Sequence, residues 1–227
     1  VYVNGKLAGE NVGGYIGFTI EISEFATSNS TAEILVRVSN AYNPHLIPSQ
    51  KSDFFIFGGI NRDVWLVSSD DVFVEHQLID LLNVNHELGE AKLTLNLNNL
   101  QTIKTVNKPM LWSTKTPNLY TLNVNIIDNA GNELASKSTV FGYRWFEFKQ
   151  GVGFILNGER VLLRGTHRHE EHAGFGAAVP NSQHRKDMEQ IKNIGANFVR
   201  LGHYPQDPEV YKAANELGLI LWDELPW

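Results

Sequence analysis

Three short segments in the last third of the chain hold most of the residues able to do chemistry. Arg164-Gly165-Thr166-His167-Arg168-His169-Glu170-Glu171-His172 carries three imidazoles, Gly202-His203-Tyr204-Pro205 a fourth, and Asp223-Glu224 two carboxylates. Five of the eight histidines lie between 167 and 203, so the clustering is local. Neutral imidazoles are common zinc ligands, but the spacing of His167, His169 and His172 on a loop does not aim three nitrogens at one ion. His167 and His172 read as members of a solvated polar loop. His169 and His203 read either as site residues or as hydrogen-bonded structural histidines. Arg200 is spaced to pair with Asp223 or Glu224, either as a structural salt bridge or to hold a site carboxylate ionised and oriented. The two acids are adjacent on an extended segment, so they point to opposite sides and only one faces the site.

All three segments directly follow apolar runs that read as strands: Val161-Leu162-Leu163, Asn197-Phe198-Val199-Arg200 and Leu219-Ile220-Leu221-Trp222. Between them the spacing predicts two helices. The first runs from Ser182 to Ile194, with Met188, Ile191 and Ile194 on one face and Gly195 as its stop. The second is introduced by Asp207-Pro208 and closed by Gly218. Apolar strands alternating with helices form a covered parallel sheet, and such sheets carry their sites at the carboxyl ends of the strands. The polar segments therefore converge on one mouth. Three strands are too few to close a barrel.

Upstream the pattern is different. Val1 to Val3, Tyr15 to Ile22, Glu33 to Val38 and Val64 to Val67 read as short strands, and 41–57 as a long loop. Candidate strands at Val72 to Val74, Lys92 to Leu97, Leu119 to Ile127 and Ser138 to Phe141 predict a small antiparallel sandwich, with a turn at 128–132. Trp65, Trp112 and Trp145 read as sandwich core. The fold class is thus multidomain, β followed by α/β, divided at 1–70, 71–148 and 149–227.

Composition sets the outer limits. A 227-residue chain is about one and a half typical domains, and 42% hydrophobic against 19% charged residues is ample for a packed core. A net charge of −6 offers no basic face to a phosphate backbone, which argues against nucleic acid as a partner. Without cysteine there is no disulfide, thiolate metal site or cysteine nucleophile. No apolar run approaches the roughly 20 residues of a membrane span. The chain opens inside a strand and stops at Trp227, just after another, so both ends read as cut, and the compartment stays open.

With these residues in view the whole chain resembles glycoside hydrolase family 2, which includes β-galactosidases, β-glucuronidases and β-mannosidases. Asn197-Phe198-Val199-Arg200-Leu201-Gly202-His203-Tyr204-Pro205 with Trp222-Asp223-Glu224 is similar to a family signature, and Arg168-His169-Glu170 to the barrel entry. Gly58-Gly59-Ile60-Asn61-Arg62-Asp63-Val64 resembles the end of a jelly-roll domain, and Leu111-Trp112-Ser113 with Pro117-Asn118-Leu119-Tyr120 an immunoglobulin-like domain. The resemblance implies a partial jelly roll, an immunoglobulin-like sandwich and the first three βα units of a (β/α)₈ TIM barrel. It implies that His169 and His203 contact substrate and that Arg200 stands beside the nucleophile. Asp53 matches an aspartate that reaches the sugar site in β-galactosidases, with an ordinary loop acid as the alternative. Together with the 168–172 segment it favours the β-galactosidase branch, with β-glucuronidase or β-mannosidase as alternatives. Thr166-His167, Gly202 and Ala173 depart from the family's usual residues and bear on sugar specificity.

Retaining glycosidases use two carboxyl groups roughly 5 Å apart. The family's Asn-Glu pair has no counterpart at a strand end, since Asn132-Glu133 and Asn215-Glu216 lie elsewhere. The resemblance therefore places both reacting glutamates, acid/base and nucleophile, beyond Trp227. The expectation is a substrate-site wall without the reacting pair, made of Asp53, His169, Arg200, His203 and Glu224, inactive alone and acting on oligosaccharides as part of a longer enzyme. A divalent cation or sodium stays open for that enzyme with no ligand assigned here, as does a homo-oligomer. The competing class is a non-catalytic carbohydrate-binding protein.

Overall fold

In the computed structural model residues 1–26, 31–48, 52–69, 78–85, 90–97 and 100–226 are described. Strands β1 (Tyr2–Val3) and β2 (Lys6–Leu7) form a hairpin, and β3 (Ile34–Leu35) pairs with β1 on its other side. The turn is Asn4-Gly5, both at positive φ (50° and 76°), the conformation that a two-residue hairpin needs and Asn-Gly supplies. The expected strands at Tyr15 to Ile22 and Val64 to Val67 are irregular instead. Alternation makes a strand only where a partner completes the ladder and something covers the apolar face. Here neither condition holds among the described residues, and Trp65 is 77% exposed rather than core. No jelly-roll sandwich is assembled among these residues. The expected strand at Val72 to Val74 lies outside them, as does Trp227.

The middle of the chain is antiparallel. β4 (Leu78–Asn85), β5 (Glu90–Leu97) and β6 (Leu100–Asn107) form one sheet, β7 (Tyr120–Ile127) and β8 (Glu133–Phe141) another. The β7–β8 turn falls where predicted. Asp128 ties it by accepting from the backbone of Ala130 and Asn132 at 2.8 Å each, and its bonds to Asn132 above all hold its carboxyl below the usual range.

β9 (Phe146–Lys149), β10 (Gly153–Leu156) and β11 (Glu159–Arg160) form an antiparallel sheet, with β10 central. Phe154 and Leu156 of β10 are buried with Trp112 and with Ile220, and Val161, Leu163 and Phe198 pack on this cluster. Trp112 is therefore not the sandwich core that its sequence position suggests: it packs with β10, and its Nε1 donates to the Asn215 carbonyl at 2.7 Å, which ties the segment before β7 to the last unit.

That unit is β12 (Gly165–Arg168), α1 (Asn181–Asn193), β13 (Phe198–Leu201), α2 (Pro208–Leu217) and β14 (Ile220–Trp222), its strands parallel and ordered β12–β13–β14. The first parallel strand lies four residues later than predicted. Val161 and Leu163 are spent on the packing cluster, whereas Gly165 approaches β13 so closely that a Cβ there would stand 1.8 Å from the Phe198 carbonyl oxygen. Phe198 and Ile220 open β13 and β14, so the cluster seals the amino ends of the sheet and leaves the carboxyl ends for a site.

Both helices follow their local signals. Asp207 accepts from Glu209 N at 2.8 Å, Pro208 opens α2, and Gly218 closes it at φ 72°. Met188 is fully buried against Val199, Leu201, Val210, Ala213 and Ala214, with Ile191 packed beside them. Ile194 is 76% exposed, because α1 ends at Asn193 and Gly195 turns the chain away. Val199 and Leu201 face the helices, so Phe198 and Arg200 face the other side of the sheet. No helix among the described residues is long and apolar enough to cross a membrane.

Candidate active-site wall

The carboxyl ends of β12, β13 and β14 bring four of the five expected residues together. Arg200, on the sheet face opposite the helices, donates from Nε to Glu224 Oε1 at 2.5 Å. His203, on the loop after β13, places Nδ1 2.8 Å from Glu224 Oε2 and 3.0 Å from an Arg200 terminal nitrogen. The Gly202–His203 peptide is cis. Burial alone would raise the Glu224 carboxyl, but hydrogen bonds from Arg200 and His203 outweigh it and hold the group below the carboxylate range. Of the two adjacent acids, only Glu224 meets this cluster. Asp223 accepts instead from the Tyr211 hydroxyl at 2.7 Å.

His169 stands edge-on to His203, ring centres 5.1 Å apart, and 5.6 Å from His167. Its imidazole is pushed below the usual value by burial first, then by the two neighbouring histidines. His167 lies on β12 rather than on a loop and is exposed. His172 contacts the Ala173 carbonyl and the Phe175 ring instead. Asp53, the fifth expected residue, is exposed on the 52–57 loop, and its charge bears on His169. No group of three metal-ligating side chains forms among the described residues. Trp227 lies outside the described residues.

Sequence reasoning missed the aromatic and ionic support of these residues. Phe54 sits 6.0 Å from His203, 6.4 Å from His169 and 5.1 Å from Tyr204, ring to ring. Tyr204 stacks on Tyr15 at 4.6 Å, and burial raises its hydroxyl to about 12, so it stays protonated. Beneath them Arg62 ties two parts of the chain. It donates to Glu170 Oε1 at 3.0 Å, to the Tyr15 carbonyl at 2.8 Å and to the Pro205 carbonyl at 2.6 Å. The other Glu170 oxygen accepts from Asp207 N at 2.5 Å.

Another arginine, this one buried, anchors β12. Arg168 donates to Asp187 Oδ2 at 2.8 Å, Gln206 Oε1 at 2.6 Å and His184 Nδ1 at 2.8 Å. The signal for both acid–arginine ties was present in the strand period. If His167 and His169 face the mouth, Arg168 and Glu170 face the opposite way and need buried partners. The identity of those partners was not legible, because Arg62 stands 108 residues from Glu170.

Geometry of this kind has counterparts among known proteins. A family description for the glycosyl hydrolases family 2 TIM barrel domain matches residues 146–227, and one for glycosyl hydrolases family 2 matches 67–144. A Formosa agariphila protein named "Putative beta-glucuronidase" is 51% identical over the whole chain, which spans 31% of that protein. A β-galactosidase from Thermoanaerobacterium thermosulfurigenes is 31% identical, again over the whole chain and 37% of its own length. The solved β-glucuronidase of Parabacteroides merdae, with glycerol in its active site, superposes with a TM-score of 0.90 at 28% identity, over 100% of this chain and 34% of that one. The chain thus spans about a third of the length of the relatives it matches. Names of both kinds occur among them, so the β-galactosidase branch is not favoured over the β-glucuronidase one. With two adjoining matches to one family covering residues 67–144 and 146–227, the chain belongs to glycoside hydrolase family 2.

Proposed function

We propose that the chain is the part of a retaining β-glycosidase that builds the sugar-contacting wall of the active site. One observation carries this reading: the His169 and His203 rings meet 5.1 Å apart beside an Arg200–Glu224 ion pair, at the ends of three adjacent parallel strands. In this reading the two imidazoles bond sugar hydroxyls, Asp53 approaches from the 52–57 loop, and Phe54 lies against an apolar face of the ring. Residues 1–70 are the jelly-roll part, 71–148 the immunoglobulin-like part and 149–227 the barrel part. The substrate is a terminal β-galactoside or β-glucuronide.

Retaining hydrolysis takes one carboxyl group as nucleophile and a second as acid and then base, roughly 5 Å apart. Glu224 serves as neither, since both of its oxygens are engaged by Arg200 and His203. The reacting pair belongs to later barrel strands, beyond Trp227. The 227-residue chain is therefore expected to give no turnover of nitrophenyl β-galactoside or nitrophenyl β-glucuronide above a buffer control. Turnover that Glu224→Gln abolishes would overturn this assignment of roles.

A further inference from the structure

His203 Nδ1 has two charged neighbours that ask opposite things of it. The Arg200 nitrogen at 3.0 Å can only donate, and the Glu224 oxygen at 2.8 Å, when ionised, can only accept. One nitrogen cannot satisfy both. If Nδ1 carried the lone pair, that lone pair would face a carboxylate oxygen at 2.8 Å with no proton between them. If Nδ1 carries the proton, it makes a charge-assisted bond to Glu224, and Arg200 loses little, because its Nε already donates to the other Glu224 oxygen at 2.5 Å. Only 13% of the Glu224 side chain is exposed, and its two oxygens are held by these partners.

We propose that Glu224 is a positioning residue that keeps the proton of His203 on Nδ1, so that in the singly protonated ring Nε2 meets its partner as a hydrogen-bond acceptor. The general rule is that the bond made by one ring nitrogen sets the role of the other. Taken with the sugar-site reading above, on which this part rests, the tautomer becomes a specificity device. The sugar substituent meeting Nε2 must bring a proton, so a hydroxyl fits there and a carboxylate or an O-alkyl group does not. Arg200 acts one step further back, holding Glu224 ionised and aimed at Nδ1.

The test needs no sugar. Histidine labelled with ¹⁵N is incorporated into the chain, and long-range ¹⁵N–¹H correlations are recorded at about pH 8, where an ordinary imidazole is neutral. His203 is expected to show a protonated Nδ1 and a lone-pair Nε2. In Glu224→Gln only one oxygen remains. Arg200 Nε takes it and the amide NH₂ faces Nδ1, so the shifts of the two ring nitrogens exchange, while those of His184, bonded to Arg168, stay in place. A wild-type His203 protonated on Nε2 overturns the proposal. So does an Nδ1–H pattern that persists in both Glu224→Gln and Glu224→Leu. If the wild-type pattern is as expected but sugars move neither His169 nor His203, the tautomer assignment holds and the sugar-site reading fails.

Discussion

Replacing Arg168 with methionine should cost about 3–5 kcal/mol of folding stability, the range for removing one member of a buried ion pair. Methionine fills the space of the stem but leaves Asp187, Gln206 and His184 with unmet polar atoms, and the arginine side chain is only 6% exposed. Urea unfolding reads the effect directly, and a loss below about 1 kcal/mol would mean that the cluster is wetter than its geometry indicates. The same contact makes stability depend on pH. Burial, reinforced by the Arg168 charge, pushes the His184 imidazole below its usual value of about 6.5. Upon acidification the unfolded chain then binds a proton before the folded one does. Stability is full above about pH 6.5 and is lost as the pH falls below it toward the folded value. In His184→Gln the amide oxygen still accepts from Arg168 and does not titrate, so the urea midpoint should fall less steeply below that pH than in the wild type.

Arg62→Met should be comparably damaging, about 3–5 kcal/mol, but for a different part of the molecule. It strands the Glu170 carboxyl, 3% exposed, whose protonation is already favoured by burial despite the opposing Arg62 charge. Arg62 also holds the Pro205 carbonyl, and Glu170 holds Asp207 N, so the loop bearing His203 and Tyr204 loses its anchor on one side. Arg62→Met combined with Glu170→Leu should be less destabilised than Arg62→Met alone, because no charge is left buried. A double variant at or below the single one would show that the tie is not an ion pair in energetic terms.

These two clusters mark where the sequence stops being legible. The helices could be read because their signals are local: Asp207-Pro208 and Gly218 bracket α2, and Met188 with Ile191 marks the buried face of α1. That Arg200 would pair with Asp223 or Glu224 could be read because adjacent parallel strands must bring their ends together, whereas the choice of Glu224 is made by the Tyr211 hydroxyl, which takes Asp223. The first parallel strand was misplaced by four residues because Val161 to Leu163 is the more apolar run. The actual strand is chosen by a close approach of Gly165 to Phe198 that no periodicity reports. At the amino-terminal end, the apolar run Val64 to Val67 says only that a strand could form there, not that a partner is present. Arg62, Tyr15 and Phe54 reach the mouth through tertiary docking over more than 100 residues of chain, and their spacing carries no trace of it. The branch of the family was not legible either, since the residues that read as galactosidase-like occur in a chain 51% identical to a protein named for glucuronide chemistry.

The central claim, that His169 and His203 form a sugar-binding wall, is tested most directly by titrating the ¹⁵N-histidine-labelled chain with galactose and with glucuronate. The account predicts that one of the two sugars shifts the ring signals of His169 and His203 together and saturably, while His45 and His184 do not move, and that Arg200→Ala removes the response. Sugars at saturating concentration that leave both rings unmoved, or that move the distant histidines equally, would contradict it.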